Sequence, residues 1–163
     1  MIVRTVKLED AAQIAEIYNF YVLNTHHTFE TEAVEVVEMK KRVEETSENY
    51  PFLVAEENGE IFGYAYAGQY KSRCAYKNSA EVSVYVKNDL KKKGIGRALY
   101  EKLFEAISQT EIHALVAGIA LPNDASVKLH ENFSFEKVAH FRQIGYKFNK
   151  WIDVGYWELI NRK

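Results

Sequence analysis

The stretch Lys91-Lys92-Lys93-Gly94-Ile95-Gly96-Arg97 carries residue types that can hold an anion. Glycines let the backbone approach a ligand. If a helix starts there, the unpaired N–H groups of its first turn and its positive dipole end face that ligand, and the lysines add Coulombic attraction. Leu99 occupies the place where a dinucleotide fingerprint wants a third small residue, and the P-loop spacing with its terminal Gly-Lys-Ser/Thr is absent, so neither nucleotide motif fits. Two glycines alone are equally consistent with a basic helix start on a solvated face. Glu81 is the acid in the β-branched run Ala80-Glu81-Val82-Ser83-Val84-Tyr85-Val86. A carboxylate in apolar surroundings is pushed towards the pKa of a useful general base, although a Glu facing solvent or pairing Arg73 would read the same. Arg73 and Tyr76 bracket small Ala75 and form a candidate clamp, because a guanidinium holds a carboxylate through two parallel hydrogen bonds. A surface arginine is the alternative. The adjacent His26-His27 lack metal-ligand spacing and have no cysteine or acidic triad nearby, so no metal is expected. Cys74 reads as a small apolar filler.

These groups need elements to position them. Ile2-Val3-Arg4 starts as a strand, and Ala11, Ile14, Ile17, Tyr18, Tyr21 and Val22 recur at helical spacing. Residues 24–32 have no period and predict a loop, followed by a charged helix over 34–48. Strands at 52–55 and 60–69 flank the hairpin signal Asn58-Gly59. A strand over 80–86 leads into the glycine turn and a helix over 95–107. The apolar run 114–120 predicts a strand covered on both faces. Asn123 is a helix N-cap, and strands over 135–141 and 151–159 close the chain. Strand, two helices, three strands, helix, strand, helix, two strands implies a mixed sheet with helices on its faces.

The chain has 163 residues, enough for one domain, expected over 1–163. A net charge of -2 gives no basic field for nucleic acid. One cysteine excludes an internal disulfide framework and fits a reducing compartment. The sequence has no membrane-length apolar run and does not begin like a signal peptide. A cytoplasmic protein without nucleic-acid or membrane partners is therefore expected.

Lys91-x-x-Gly94-x-Gly96 resembles the Arg/Gln-x-x-Gly-x-Gly/Ala signature of the GNAT acetyltransferase superfamily, with Lys where Arg or Gln is usual. Pro122-Asn123-Asp124-Ala125-Ser126 and Leu129-His130-Glu131 resemble its second cofactor segment. Ile17-Tyr18-Asn19, Thr28-Phe29-Glu30-Thr31, Arg73-x-Ala75-Tyr76, the strand around Glu81, Gly145-Tyr146-Lys147-Phe148 and Trp151-x-Asp153-Val154 are similar to the phosphinothricin N-acetyltransferase branch. Ser134 stands where that branch usually has Gly. The resemblance implies an α+β GNAT fold, with a mixed, mostly antiparallel sheet of about seven strands and helices on both faces. It implies transfer of the acetyl group of acetyl-CoA to the primary amine of a small amino acid of the phosphinothricin, methionine sulfone or methionine sulfoximine type. Glu81 would be the base and His130 the general acid, with Tyr85 a weaker substitute for the acid. Val84, Tyr85, Val86, Lys91, Lys92, Lys93, Gly94, Ile95, Gly96, Arg97, Asn123 and Asn132 would hold the cofactor, the strand through backbone N–H groups. Phe29, Glu30, Arg73 and Tyr76 would hold the acceptor, and a homodimer is expected. Acetylation of protein N-termini or polyamines, or acyl-CoA sensing without catalysis, are the alternatives; Arg73 argues against a polyamine, and Glu81 against a sensor.

Overall fold

The structure, a computed structural model, describes residues 1–88, 90 and 94–161. The expected cofactor residues Lys91, Lys92 and Lys93 lie outside the described residues. In chain order the elements are β1 (Ile2–Thr5), a 3-10 turn (Leu8–Asp10), α1 (Ala11–Asn24), α2 (Val36–Ser47), β2 (Phe52–Glu57), β3 (Glu60–Gln69), a second 3-10 turn (Cys74–Tyr76), β4 (Ser79–Val86), α3 (Ile95–Ser108), β5 (Ala114–Ala120), α4 (Asp124–Asn132), β6 (Glu136–Lys147) and β7 (Lys150–Ile160). The seven strands form one sheet in the order β1-β2-β3-β4-β5-β7-β6. The pairs β1·β2, β2·β3, β5·β7 and β6·β7 are antiparallel, and β4·β5 is parallel. This is the mixed sheet that the element order implies, with the mostly antiparallel α+β arrangement that the resemblance implies.

The chain divides into two compact units. The first comprises Met1–Phe20, Val34–Gly68 and Val82–Glu111. Its α3 buries Ile95, Leu99, Leu103 and Ile107, four of the apolar residues whose spacing marks a helix over 95–107, and Tyr100 beside them. Alternation along β3 decides which helix meets which face. Gly63 faces Leu99 of α3, whereas the Tyr64 ring stacks on Tyr85, itself edge-on to Tyr18 of α1. Helices α1 and α3 therefore lie on opposite faces of β3. At the start of α1, Arg4 holds buried Asp10 through two bonds of 2.8 and 2.9 Å, and Asp10 also accepts from the Lys7 N–H at 2.8 Å. This set ties β1 to the first turn.

The second unit comprises Tyr21–Ala33, Gln69–Glu81 and Ile112–Lys163. Trp157 of β7 is 2% exposed, and its indole N–H donates to Glu131 of α4 at 3.2 Å. That one contact satisfies the polar edge of a large apolar group. Strand β6 runs past the expected end at Phe141 to Lys147. Its register breaks between Phe141 and Gly145, where Gln143 takes a left-handed φ of 53° and its N–H bonds Asp153 at 2.8 Å. The ladder then resumes at Gly145↔Ile152. Phe148 and Asn149, both left-handed, make the two-residue turn into β7. No helix among the described residues is long and apolar enough to cross a membrane.

Candidate active site

Unit two holds the expected base. Glu81 pairs with Val116 in the parallel β4·β5 ladder. The next position on the same face of β5 is Gly118, paired with Tyr156 of β7. A Cβ at Gly118 would sit 3.4 Å from the Glu81 carboxylate and 3.2 Å from the Tyr156 ring, so the missing side chain leaves the slot into which both reach. Burial pushes the Glu81 carboxyl above the ordinary glutamate value, where a paired guanidinium would have pulled it down. Tyr156 is also raised, first by burial, then by the charge of Glu81 and by Tyr70, with Lys71 opposing. Glu81, Tyr156, Tyr70 and Lys71 therefore share one electrostatic neighbourhood. Tyr156, Lys71 and Gly118 are absent from the sequence expectations. The readable signal was an isolated glycine inside a strand, which marks a close approach.

The expected acceptor clamp lies in the same unit. Arg73 is exposed at the head of the second 3-10 turn, its carbonyl accepting from the Tyr76 N–H at 2.9 Å. Tyr76 packs edge-on to Tyr70, and the Lys71 ammonium lies about as close to one ring as to the other, at 5.0 and 5.4 Å. Cys74 is exposed in this turn, not the apolar filler its size suggested, because so short a turn has no inner face. Phe29 is exposed on one side and rests on Gly145 on the other; half-buried Glu30 follows it.

On α4, Asn123 caps the helix by accepting from the Ser126 N–H at 3.2 Å, as its position predicts. Asn132, at the other end of α4, is exposed. His130 is 3% exposed, with Nδ1 2.8 Å from the Ser126 carbonyl and the ring edge-on to Phe135. A carbonyl can only accept, so Nδ1 carries the proton there. Burial lowers the imidazole pKa, and the Ser126 bond opposes that only in part. A neutral imidazole whose proton is committed to a backbone carbonyl is poorly placed to protonate a thiolate, which argues against the general-acid expectation for His130.

Unit one holds the glycine turn and the strand expected to meet the cofactor. Gly94 has a left-handed φ of 94° and open space where a Cβ would be, and the first α3 bond is Ala98 N–H to Gly94 O at 2.9 Å. Ile95, Gly96 and Arg97 thus supply the N–H groups of the first turn. Ile95 is buried and Arg97 is exposed, its Nε bonded to Glu101 at 2.8 Å. A backbone cradle with a glycine no other residue replaces cheaply is what a pyrophosphate requires. Val84, Tyr85 and Val86 are half-buried, and the Tyr85 ring is committed to Tyr18 and Tyr64, which leaves it a packing role.

The chain is similar to known proteins over nearly its whole length. The family described as an acetyltransferase (GNAT) domain matches residues 3–155. The phosphinothricin N-acetyltransferase of Streptomyces coelicolor is 37% identical over 154 residues, covering 92% of this chain and 90% of that one. The L-methionine sulfoximine/L-methionine sulfone acetyltransferase of Salmonella typhimurium is 36% identical, covering 98% and 94%. An acetyltransferase of Salmonella typhimurium solved with its cofactor acetyl-CoA superposes with a TM-score of 0.96 at 35% identity, covering 100% of this chain and 95% of that one. The chain is an N-acetyltransferase that belongs to the GNAT family, in the branch of the phosphinothricin and methionine sulfoximine acetyltransferases.

Proposed function

We propose that the chain, as a single GNAT domain over 1–163, acetylates the primary amine of a small amino acid of the phosphinothricin, methionine sulfone or methionine sulfoximine type, in the cytoplasm. The observation that carries this reading is Glu81: a carboxylate raised by burial, beside Gly118 and Tyr156, with Lys71 close enough to act on the same tyrosine. An amine is mostly protonated at neutral pH and must lose a proton before it attacks. Glu81, directly or through a water, takes that proton. Lys71 and Arg73 attract the acceptor's carboxylate, which distinguishes an amino acid from a polyamine. Tyr76, Phe29 and Glu30 line the acceptor's side. Acetyl-CoA, when bound, supplies the acetyl thioester. Gly94 to Arg97 offer N–H groups and a helix dipole to its pyrophosphate, joined by Lys91–Lys93, while the Val84–Val86 backbone, Asn123 and Asn132 bind the rest. His130 holds the second turn of α4 in place and is not assigned the acid.

Homodimerisation finds support in the second unit. Phe141, Ile144, Tyr146, Phe148 and Trp151 of the β6–β7 hairpin each leave about half or more of their surface exposed, and Tyr146 and Trp151 form a ring pair at 4.8 Å.

Thiol release from acetyl-CoA tests the reading, with amino-acid sulfones, sulfoximines, phosphinothricin, polyamines and short peptides as acceptors. Turnover confined to the amino acids is expected. Preference for peptides or polyamines, or binding without turnover of any amine, would replace it.

A further inference from the structure

We propose that Lys147 is a positioning residue: its ammonium latches the loop that carries Phe29 and Glu30 and so sets how the acceptor is held. The proposal rests on the reading that those two residues line the acceptor pocket.

Lys147 is 4% exposed, an unusual state for a lysine. Its Nζ donates to the Thr28 carbonyl at 2.8 Å and lies 5.1 Å from the centre of the Phe148 ring. Thr28 is itself buried. Burial lowers the amine pKa and the charge of Glu30 opposes that, so Glu30 is near enough to matter. Burying an ammonium costs several kcal/mol unless its donors are used. Packing alone would be served by methionine, which fills similar space without that cost. What lysine adds is a donor on a long stem that reaches a backbone carbonyl across the fold.

The same loop is moored at three further points. Thr25 Oγ1 donates to the Tyr21 carbonyl at 2.9 Å and accepts from the His27 N–H at 3.2 Å. His26 Nε2 donates to the Pro122 carbonyl at 2.9 Å. Phe29 lies on Gly145, where an added Cβ would strike the ring. Gly145 and Lys147 share one face of β6, so one strand grips the loop at two successive residues: Lys147 holds the Thr28 carbonyl, and Gly145 receives the Phe29 ring. Removing the lysine takes this bond from the Thr28 carbonyl, and the peptide that carbonyl belongs to leads into Phe29.

The test uses Lys147→Met in the full chain, with amide hydrogen exchange over residues 25–31 and kinetics with methionine sulfone. Exchange there should quicken at least tenfold and the KM for methionine sulfone should rise about tenfold, the range for one charge-assisted hydrogen bond. The KM for acetyl-CoA should stay within twofold. Unchanged exchange would overturn the latch, and quickened exchange with an unchanged acceptor KM would overturn its role in acceptor binding. If Lys147→Met melts too low to assay, Gly145→Ala displaces Phe29 without touching the amine; the same selective rise in acceptor KM is expected, and its absence would sink the proposal. If the wild-type chain acetylates no amino acid, the acceptor reading fails, while the exchange data still judge the latch on their own.

Discussion

Glu81→Gln separates catalysis from structure, because the two are expected to move in opposite directions. A positioned general base contributes about 10²–10⁴-fold to a reaction. That corresponds to about 2.7–5.5 kcal/mol of barrier. The glutamine keeps the shape of the carboxylate beside Gly118 and Tyr156 but cannot take a proton at neutral pH. We therefore expect kcat/KM for a methionine sulfone-type acceptor to fall at least a hundredfold. The limb of the pH profile that rises through the Glu81 pKa should vanish, leaving only the titration of the acceptor amine.

Stability should respond the other way. Burial raises the folded-state pKa of Glu81 above its unfolded value. The folded chain thus binds this proton more tightly. The group's contribution is complete below the unfolded carboxylate value, about 4.3, and is lost as pH rises through the folded value. At neutral pH the ionised carboxylate is a burden, with each tenfold displacement of its proton equilibrium worth about 1.4 kcal/mol, less whatever its remaining contact with solvent screens. Glu81→Gln should melt higher than the wild type at pH 7, and the gap should close by pH 4. Thiol release across pH 6–9 and thermal melts at the two pH values are sufficient assays. A variant within threefold of wild type in kcat/KM across that range would refute the base. A variant that loses activity and stability together would show that Glu81 packs and does not catalyse.

Arg73→Ala should raise the KM for amino-acid acceptors about tenfold, the worth of an exposed charge-assisted contact, while the KM for acetyl-CoA stays within twofold; equal effects on both would remove the clamp. Ser134 sits just past α4 with a left-handed φ of 66°, which costs a non-glycine residue about 1–2 kcal/mol, part of it offset by the unfolded-state freedom a glycine adds. Ser134→Gly should therefore raise Tm by about 1–3 °C without changing kinetics, and a lower Tm would contradict the strain argument. Asp10 is buried; burial alone would raise its pKa, but Arg4 and the Lys7 N–H outweigh it and hold the carboxyl low. Its stabilisation is thus present above the ordinary aspartate range and lost as pH falls below it, so Asp10→Asn should cost about 1.5–3 kcal/mol at pH 7 and much less near pH 2 by denaturant melts.

Local chemistry was legible where a signal lies within one element. The stripe of α3, the cap at Asn123 and the turn at Gly94 each follow from residues a few positions apart, and each stands where the sequence predicts it. The far half of β6 did not show, because its continuation depends on Asp153 of another strand accepting the Gln143 N–H. The turn at Phe148-Asn149 carries no glycine, so the usual hairpin signal is absent although both residues are left-handed. Cys74 is exposed against expectation for a related reason: small size predicts burial only inside an element with an inner face.

The site follows the same rule. Glu81 was visible because an acid in an apolar strand is anomalous by itself. Its environment was not visible, since Gly118 and Tyr156 join it only through the registers Glu81↔Val116 and Gly118↔Tyr156. Register is set by pairing across the whole sheet, and a slip of one residue would send Tyr156 to the opposite face. His130 makes the converse point. Its position beside a cofactor-like segment suggested an acid, but the helix places it one turn from Ser126, whose carbonyl claims its proton. A residue type proposes a chemistry; the hydrogen bond its neighbours impose decides whether the proton is available. By that criterion Glu81, raised by burial, stays eligible as a base, whereas the His130 Nδ1 proton is already held by the Ser126 carbonyl.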